Sequence, residues 1–477
     1  MSSAETTLAT GAGSTTQTAS GSERFSKGYR AWVLFILLVI NAFNLADRQG
    51  IAATAPSFRH ELHLTGGQLG LIQGAGFAIF YTLFGLPMAW MAERLNRTKI
   101  IAISLAVFGV MVASCGVIRS FGQMMLFRIG VGVGDAGFGP PVASVIGDHY
   151  PTQKRASAMT VIWLGAPVGA VAGAVLAGWT AQNLGWRVWY FALGAPAIVV
   201  ALLAFLTLRE PIRGMNDPVA IKGRTPSIFT AFRFLLAKKS VWFILIGGGF
   251  AAAGMNGLGQ FFSLYLQTAF HAGPAEAGRL LGMMSGVAMA SGMALGGFGV
   301  DWAAKFDRRW FVWGPAIGLL IATPLFYFGA AQASVLMAVL VLGLGHVALF
   351  IYYTPTLALA QNMVGANMRA SSAFVTSLVL GLVGIGLGPT LIGYLNDIFT
   401  QSAFGAGDFV VQCPGGTAPA GASAAVVGAC RAAAGTGIVH AIMAMSLLFA
   451  AAALFYFLAS FNLRKDLDTH YEAPVEA

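Results

Sequence analysis

Long apolar stretches recur along the chain and are separated by short polar segments. Each runs for about 20 to 28 residues, enough for a helix rising 1.5 Å per residue to cross a hydrocarbon core of roughly 30 Å. Polar and apolar residues do not alternate with a period of two, which argues against the strands of a membrane barrel. The pattern therefore predicts an all-α membrane protein with twelve transmembrane helices, at 31–57, 67–92, 100–119, 123–147, 156–183, 186–208, 240–270, 275–300, 309–329, 332–362, 369–397 and 434–462.

Composition leads to the same class. The chain is 57% hydrophobic and 10% charged, with a mean hydropathy of +0.73. A chain of this length could not bury so much apolar surface in a water-soluble core, so lipid must be the solvent. The net charge of +10 does not indicate a nucleic-acid partner, because the basic residues lie in short loops on one side of the spans.

The connection between the sixth and seventh spans fixes the expected orientation. It carries seven Lys/Arg residues against two acids, and by the positive-inside rule that side is cytoplasmic. We expect a multi-pass protein of a bacterial plasma membrane with both termini inside and no cleaved signal peptide. The predicted organisation is a flexible cytoplasmic tail at 1–30, a six-helix bundle at 31–208, a cytoplasmic linker at 209–239, a second bundle at 240–462 with a long outer loop at 398–433, and a cytoplasmic tail at 463–477.

The two predicted bundles are internal repeats. Three landmarks recur in order at similar spacings, which charge alone does not explain. Two parallel six-helix repeats are typical of secondary transporters whose substrate site lies near the midplane between the halves. The matched landmarks are Glu93 with Asp301, Arg155 with Arg369, and Gly165 with Gly381, at offsets of 208, 214 and 216.

Several motifs resemble the major facilitator superfamily. The Glu93–Arg97 segment is similar to its signature loop after the second span, with Glu93 in place of the usual Asp and Asn96 in place of Gly. The second copy, Gly297–Asp301 followed by Arg308 and Arg309, is closer to that pattern. Arg128 with Gly130, Gly132 and Gly134 resembles the fourth-span motif, and Gly165 to Gly173 loosely resembles a fifth-span motif of exporters.

Within that superfamily the chain resembles the spinster-like transporters, through Asn44–Arg48 and through Arg128 with an acid seven residues later. The resemblance implies a sphingolipid or lysophospholipid substrate. Where the subfamily usually carries Glu, this chain has the shorter Asp135.

Four ionisable residues lie within the apolar helices, namely Asp47, Arg48, Arg128 and Asp135. Each costs about 2.5 to 3.5 kcal/mol on insertion scales unless it is paired or hydrated. The residues lie at overlapping depths, so we predict a neutral quartet that switches by protonation. Gly132 leaves room for a neighbouring chain, and Arg48 is expected to face the polar cavity. The alternative is a static network that only positions helices.

The second half is predicted to shape the substrate cavity. An offset of 212 carries Asn44 and Arg48 onto Asn256 and Gln260, so an amide replaces the arginine. His346, Tyr352 and Tyr353 add polar groups in the tenth span, and a His titrates near physiological pH. Packing roles are the alternative for these three residues.

Two charged clusters are predicted to act as cytoplasmic gates, although topogenic charge alone would also explain them. Their residues are Glu93, Arg94 and Arg97 in the first half and Asp301, Arg308 and Arg309 in the second.

Three cysteines remain. Cys413 and Cys430 in the outer loop form either a disulfide or two free thiols, and Cys115 is expected to serve only in packing.

The sequence thus favours a secondary carrier that works by alternating access, is driven by protons and moves an amphiphilic lipid-like substrate. A carrier for a small organic anion or drug-like compound, gripped by Arg48 and Arg128, is the rival. We expect a monomer among membrane lipids, with no metal, no cofactor other than protons and no nucleic-acid partner. Enzyme motifs such as G-x-S-x-G and the phosphate loop are absent from the sequence.

Overall fold

The structure is a computed structural model that describes residues 25–213, 233, 235–364, 369–405 and 407–468. Twelve helices among these residues are long and apolar enough to cross a membrane, and the described residues contain no strand. The spans, numbered in chain order, are Lys27–Glu61, Gly66–Arg94, Arg97–Val117, Phe121–His149, Ser157–Asn183, Trp186–Thr207, Lys239–Ala269, Pro274–Ala304, Trp310–Ala330, Val335–Asn362, Val375–Phe404 and Ala424–Leu467.

The observed helices extend past several predicted bounds. Span 12 begins at Ala424, ten residues before the predicted start at 434, and its helix continues to Asp468. The connection between spans 11 and 12 is therefore 405–423, and the predicted outer loop at 398–433 is too long at both ends. The residues from 424 onward are rich in alanine, the best helix former, which sustains a helix outside the most apolar stretch.

At the other end of the chain, span 1 starts at Lys27 within the predicted tail. The Ser26 side chain accepts a hydrogen bond from the Tyr29 N–H at 3.1 Å and caps the helix. Most of the predicted tails and linker, at 1–24, 214–232 and 469–477, lies outside the described residues.

Six of the described spans deviate from regular α-helix away from their ends, and two of them, spans 5 and 10, are interrupted at Leu164 and at residues 351–352. Span 2 is interrupted at Gly74. Span 4 is interrupted at Gly137, because Pro140 and Pro141 have no N–H group to donate to the preceding helical turn. Spans 8 and 11 each contain a π-helical segment, at Leu295–Gly299 and Leu382–Leu387. Such segments are frequent at functional sites.

Because the number of spans is even, Lys27 and Asp468 lie on one side of the membrane, here named the terminal face. The side that carries the 405–423 loop is named the distal face. The halves meet through spans 1 and 7, where Gln260 Nε2 donates to the Arg48 carbonyl at 3.2 Å and Ser263 Oγ donates to the Ala53 carbonyl at 3.4 Å. These partners are repeat-related, since 260 minus 48 is 212 and 263 minus 53 is 210. The two contacts therefore lie close to the pseudo-twofold axis.

A first distal latch joins span 2 to span 11. The Asp397 carboxylate accepts hydrogen bonds from the Gly66 and Gly67 N–H groups, both at 2.7 Å, and so caps span 2 from the other half. A Cβ atom added at Gly70 would collide with the Pro389 carbonyl oxygen, so the two helices are in backbone contact.

A second distal latch joins span 5 to span 8 at the repeat-related position. Gln182 Oε1 accepts from the Ala275 N–H at 3.0 Å, and a Cβ atom at Gly278 would collide with the Ala174 carbonyl oxygen. The correspondence follows the repeat: Gly67 and Gly70 map onto 275 and 278 with an offset of 208, and Gln182 and Ala174 map onto 397 and 389 with an offset of 215. The distal face is therefore closed by two equivalent latches, of which only the first uses a charge.

Replacing Asp397 with Ala should favour opening of the distal face. A lost helix cap costs about 1 kcal/mol, which corresponds to roughly a fivefold change in the closed-to-open ratio. The change can be measured as a longer distance population between spin labels on His63→Cys and Ser402→Cys, because Cys115 is buried and the other two cysteines are oxidised.

Glu276→Gln removes an exposed acid from the same face and serves as the control. Identical distance distributions for Asp397→Ala and the unsubstituted protein would show that the cap does not contribute to closure.

Candidate functional site

The first ion pair of the quartet is sealed inside the first half. Arg128 Nη1 lies 2.7 Å from Asp47 Oδ2, and the two side chains are 2% and 1% exposed. Asp47 Oδ1 and Arg128 Nε have no hydrogen-bond partner among the described residues. Spans 1 and 4 are thus joined by a buried pair that retains further hydrogen-bonding capacity.

The second pair is partly open. Arg48 Nη2 lies 2.6 Å from Asp135 Oδ2, and the side chains are 24% and 6% exposed. Although Asp135 is shorter than the Glu usual in the subfamily, it reaches its partner directly. The quartet is neutral overall, but its two pairs differ in their access to the space between the halves.

Both neighbours on span 1 bind span 4, although they diverge by about 100° around the helix. The long Arg48 side chain reaches round to Asp135, whereas Asp47 contacts Arg128 with its short side chain. Span 4 also lies close to span 2, because a Cβ atom at Gly132 would come within 2.7 Å of the Phe77 carbonyl oxygen. The absence of a side chain at this glycine permits that approach.

Two aromatic residues that the sequence analysis did not identify complete the site. Phe77 lies between the two arginines, with its ring centroid 4.8 Å from Arg48 Cζ and 5.4 Å from Arg128 Cζ. The Tyr81 ring, one helical turn further on, lies 5.5 Å from Arg48 Cζ. Each cation–π contact contributes about 0.5 to 2 kcal/mol, so span 2 links the two ion pairs through one ring.

Part of the predicted cavity set reaches the quartet. Gln260 donates to the Arg48 carbonyl, and the half-buried Tyr353 lies near enough to Arg48 for an electrostatic interaction. Asn256 donates to the Ala252 carbonyl at 2.9 Å and packs against the π segment of span 11. Asn44 is 5% exposed on span 1, one turn before Arg48.

The structure corrects the placement of His346 and Tyr352. His346 is 4% exposed, its ring lies 4.7 Å from that of Phe326, and its Nδ1 is 2.9 Å from the Leu342 carbonyl oxygen. Tyr352 is fully buried, with its hydroxyl 4.0 Å from the sulfur of Met255. Both residues pack the interior of the second half.

On the terminal face of the first half, Arg97 forms the centre of the predicted gate. It contacts the Asp148 carboxylate and lies 2.6 Å from Glu210 Oε1, and its side chain is 2% exposed. These two acids, at the ends of spans 4 and 6, were not identified from sequence. Glu93 lines a cavity whose wall also includes Arg97 and Asp148, and the Cζ atom of Arg94 lies 4.4 Å from the centroid of the Trp90 ring.

In the second half the acid of the terminal-face cluster is Asp307, not Asp301, which is exposed. Asp307 accepts from the Arg309 N–H at 2.9 Å and pairs with Arg464 at 2.8 Å, and both contacts hold its pKa below the usual value. The Arg309 guanidinium lies 5.9 Å from the Trp313 ring. Arg308, the third predicted member of this cluster, also interacts with a neighbouring group. The Arg97 and Asp307 pairs join segments within one half and do not bridge the two halves.

Residues 37–389 match the protein family described as the Major Facilitator Superfamily. The chain belongs to the major facilitator superfamily. Within this superfamily it is spinster-like: a solved bacterial homologue of the human lysosomal transporter Spinster, in an inward-facing and unoccupied conformation, superimposes with a TM-score of 0.85 and 32% identity over 94% of this chain and 100% of that one.

Two curated relatives extend this similarity. An MFS-type efflux pump of Mycolicibacterium smegmatis is 27% identical over 78% of this chain and 86% of its own length. The sphingosine-1-phosphate transporter SPNS2 of Xenopus tropicalis is 23% identical over 77% of this chain and 74% of its own length.

Because the chain belongs to this superfamily, its two-bundle architecture is the fold of a transporter that works by alternating access. The family and the fold are those of transporters. Within the described ranges no group of three or more His, Cys, Asp or Glu side chains could hold a metal ion.

Removing one member of the sealed pair should destabilise this superfamily member more than removing both. Asp47→Asn leaves the Arg128 charge buried without a partner, a change that costs about 3 to 5 kcal/mol. The double variant Asp47→Asn with Arg128→Gln leaves no uncompensated charge and should recover most of the loss. The midpoint of thermal unfolding in detergent measures both effects.

The partly open pair of Arg48 and Asp135 supplies the comparison, because Asp135→Asn leaves Arg48 partly in contact with the cavity and should destabilise the protein less. If Asp47→Asn unfolds at the same temperature as the unsubstituted protein, or if the double variant is no more stable than the single one, the sealed pair does not have this role.

Proposed function

We propose that this protein is a proton-coupled carrier of an amphiphilic lipid-like substrate in a bacterial plasma membrane, with its terminal face toward the cytoplasm. The observation that carries the proposal is the unequal exposure of the two ion pairs, with Arg48 at 24% and Arg128 at 2%. A sealed pair fixes the helices, whereas a partly open pair can exchange a proton. The basic residues of the linker support the orientation.

The switch in this proposal is Asp135. Protonation removes its negative charge and leaves the Arg48 guanidinium without its partner. Asp47 Oδ1, which has no hydrogen-bond partner among the described residues, offers the nearest replacement on the same helix. Arg48 can turn toward it or toward an anionic group of the substrate.

Movement of Arg48 has a direct route to the other half. Its carbonyl accepts from Gln260, and its guanidinium lies near Tyr353, so both second-half spans that face the quartet respond to its position. Protons can drive alternating access only if protonation changes the contacts between helices of the two halves, and the contacts of Arg48 at the pseudo-axis meet this requirement.

The proposed substrate follows from the asymmetry of the cavity. The first half provides ionic groups, while the second provides an amide and an aromatic ring opposite them. Such a surface suits a molecule with a charged head and an apolar body. The frog relative is named a sphingosine-1-phosphate transporter, and sphingosine-1-phosphate is a molecule of that class.

A small organic anion remains the second candidate, and one observation bears on it. Arg128 is engaged by Asp47 and only 2% exposed, so only Arg48 of the two arginines has access to a carboxylate. Two-arginine capture of a small anion would require the sealed pair to break, which makes the amphiphile the better supported substrate.

Asp135→Asn should abolish the pH dependence of transport in proteoliposomes while leaving the protein folded, because the titrating group is gone. Uptake of a fluorescent lysophospholipid is measured with an imposed pH gradient. Glu276→Gln likewise neutralises an exposed acid, outside the quartet and the terminal-face clusters, and should transport as the unsubstituted protein does.

A pH-gradient response in Asp135→Asn equal to that of the control would exclude Asp135 as the coupling residue. In the same vesicles, unlabelled lysophospholipid should compete at concentrations where succinate does not. Competition by succinate alone would replace the amphiphile with the small anion.

A further inference from the structure

A cavity of about 460 Å³ opens at the distal face, outside the two latches. Its walls come from the ends of spans 1 and 7, the connection between spans 7 and 8, the 405–423 loop and the start of span 12. Four lining residues carry basic side chains, and none of the lining residues is Asp or Glu. The basic residues are Arg59, His60, His271 and Arg431.

Arg59 is the buried member of this set. It is 5% exposed, and its Nε donates to the Leu64 carbonyl at 3.3 Å. Neither Nη atom has a hydrogen-bond acceptor among the described residues. The guanidinium therefore retains unused donors at the wall of the cavity.

Asp397 is the acid that acts electrostatically on Arg59, but its carboxylate oxygens already accept hydrogen bonds from span 2. Its two oxygens accept from the Gly66 and Gly67 N–H groups of the first distal latch. Arg59 thus lies beside a carboxylate without forming an ion pair with it, and the cavity retains a net positive lining.

The outer wall is held in place covalently. Cys413 and Cys430 form a disulfide with a sequence separation of 17, and Cys430 itself lines the cavity. Gly416 has a φ of 88° and lies against the guanidinium, where an added Cβ atom would come within 3.3 Å of Arg59 Cζ. The disulfide and this glycine turn together fix the loop over Arg59.

We propose that this cavity is an anion-binding vestibule that takes the phosphate or carboxylate group of an organic anion at the distal face. Arg59 supplies planar paired donors, the geometry that suits both groups, and Arg431 adds a second charge at the mouth. Leu264 and Val427 in the lining accommodate an apolar body.

The vestibule is separate from the quartet. Arg59 follows Arg48 by eleven residues on the same helix, which places it about 16 Å further along the axis. Binding at the vestibule does not depend on proton coupling, so Asp135→Asn should bind the anion as the unsubstituted protein does.

Binding can be tested with inorganic phosphate as the probe and the full-length protein in phosphatidylcholine nanodiscs, by isothermal titration calorimetry and thermal unfolding. The unsubstituted protein should bind saturably, and Arg59→Gln should bind at least tenfold more weakly. Arg119→Gln removes an exposed arginine from the same face outside the cavity and should bind normally.

A second arm distinguishes the source of the anionic group. Stabilisation that depends on Arg59 and appears only in nanodiscs containing phosphatidylglycerol identifies a lipid headgroup, whereas dependence on free phosphate identifies a soluble anion. Either result supports the vestibule. The absence of any Arg59-dependent effect in both arms would overturn it.

Arg431→Glu covers the case in which Arg59→Gln fails to fold, because Arg431 is exposed at the mouth and its replacement should leave the fold intact. It places a negative charge in the cavity and should weaken binding strongly. Binding by Arg431→Glu that equals binding by the unsubstituted protein contradicts the proposal.

Discussion

Neutralisation of charge inside the bilayer is the constraint on which the rest of this structure depends. Two arginines and two aspartates occupy apolar helices, and each would be costly alone. The structure pairs them between spans 1 and 4, and the pairing determines how closely those helices approach. Gly132 and the ring of Phe77 then bring span 2 into the same arrangement. The first half is therefore organised around its ion pairs.

The contacts between the halves follow a different principle. In a membrane, helices gain little from burying apolar surface against each other, so close packing of small residues and hydrogen bonds provide the association. The glycines of both distal latches permit backbone contact, and one side chain from each opposing span caps a helix start. Contacts of this kind are individually weak, which suits an interface that has to open and close during each transport cycle.

Much of the architecture and of the ionic site could be predicted from the sequence. The twelve spans and the repeat offset were visible because hydropathy and landmark spacing are local signals. Asp47, Arg48, Arg128 and Asp135 could be identified because charges within apolar stretches are rare. The offset that related Arg48 to Gln260 also identified two residues that are in contact in the structure.

Other features could not be predicted because their signals are not local. Phe77 and Tyr81 are ordinary aromatic residues in an apolar span until span 4 is packed against them. Asp148 and Glu210 lie 51 and 113 residues after Arg97, so their pairing depends on the fold. His346 was overrated because its type suggested proton transfer, whereas its neighbours make it a packing residue.

The contact between Arg48 and Gln260 also has a consequence for how such a chain can arise. If the two halves descend from one duplicated segment, an ancestor made of two identical halves would have carried the same residue at both positions, facing itself across the axis. Two arginines in that place would repel each other. Fusion of the halves into one gene permits one copy to become an amide while the other keeps its charge, so the asymmetry on which the ionic site depends is accessible only after the copies can diverge.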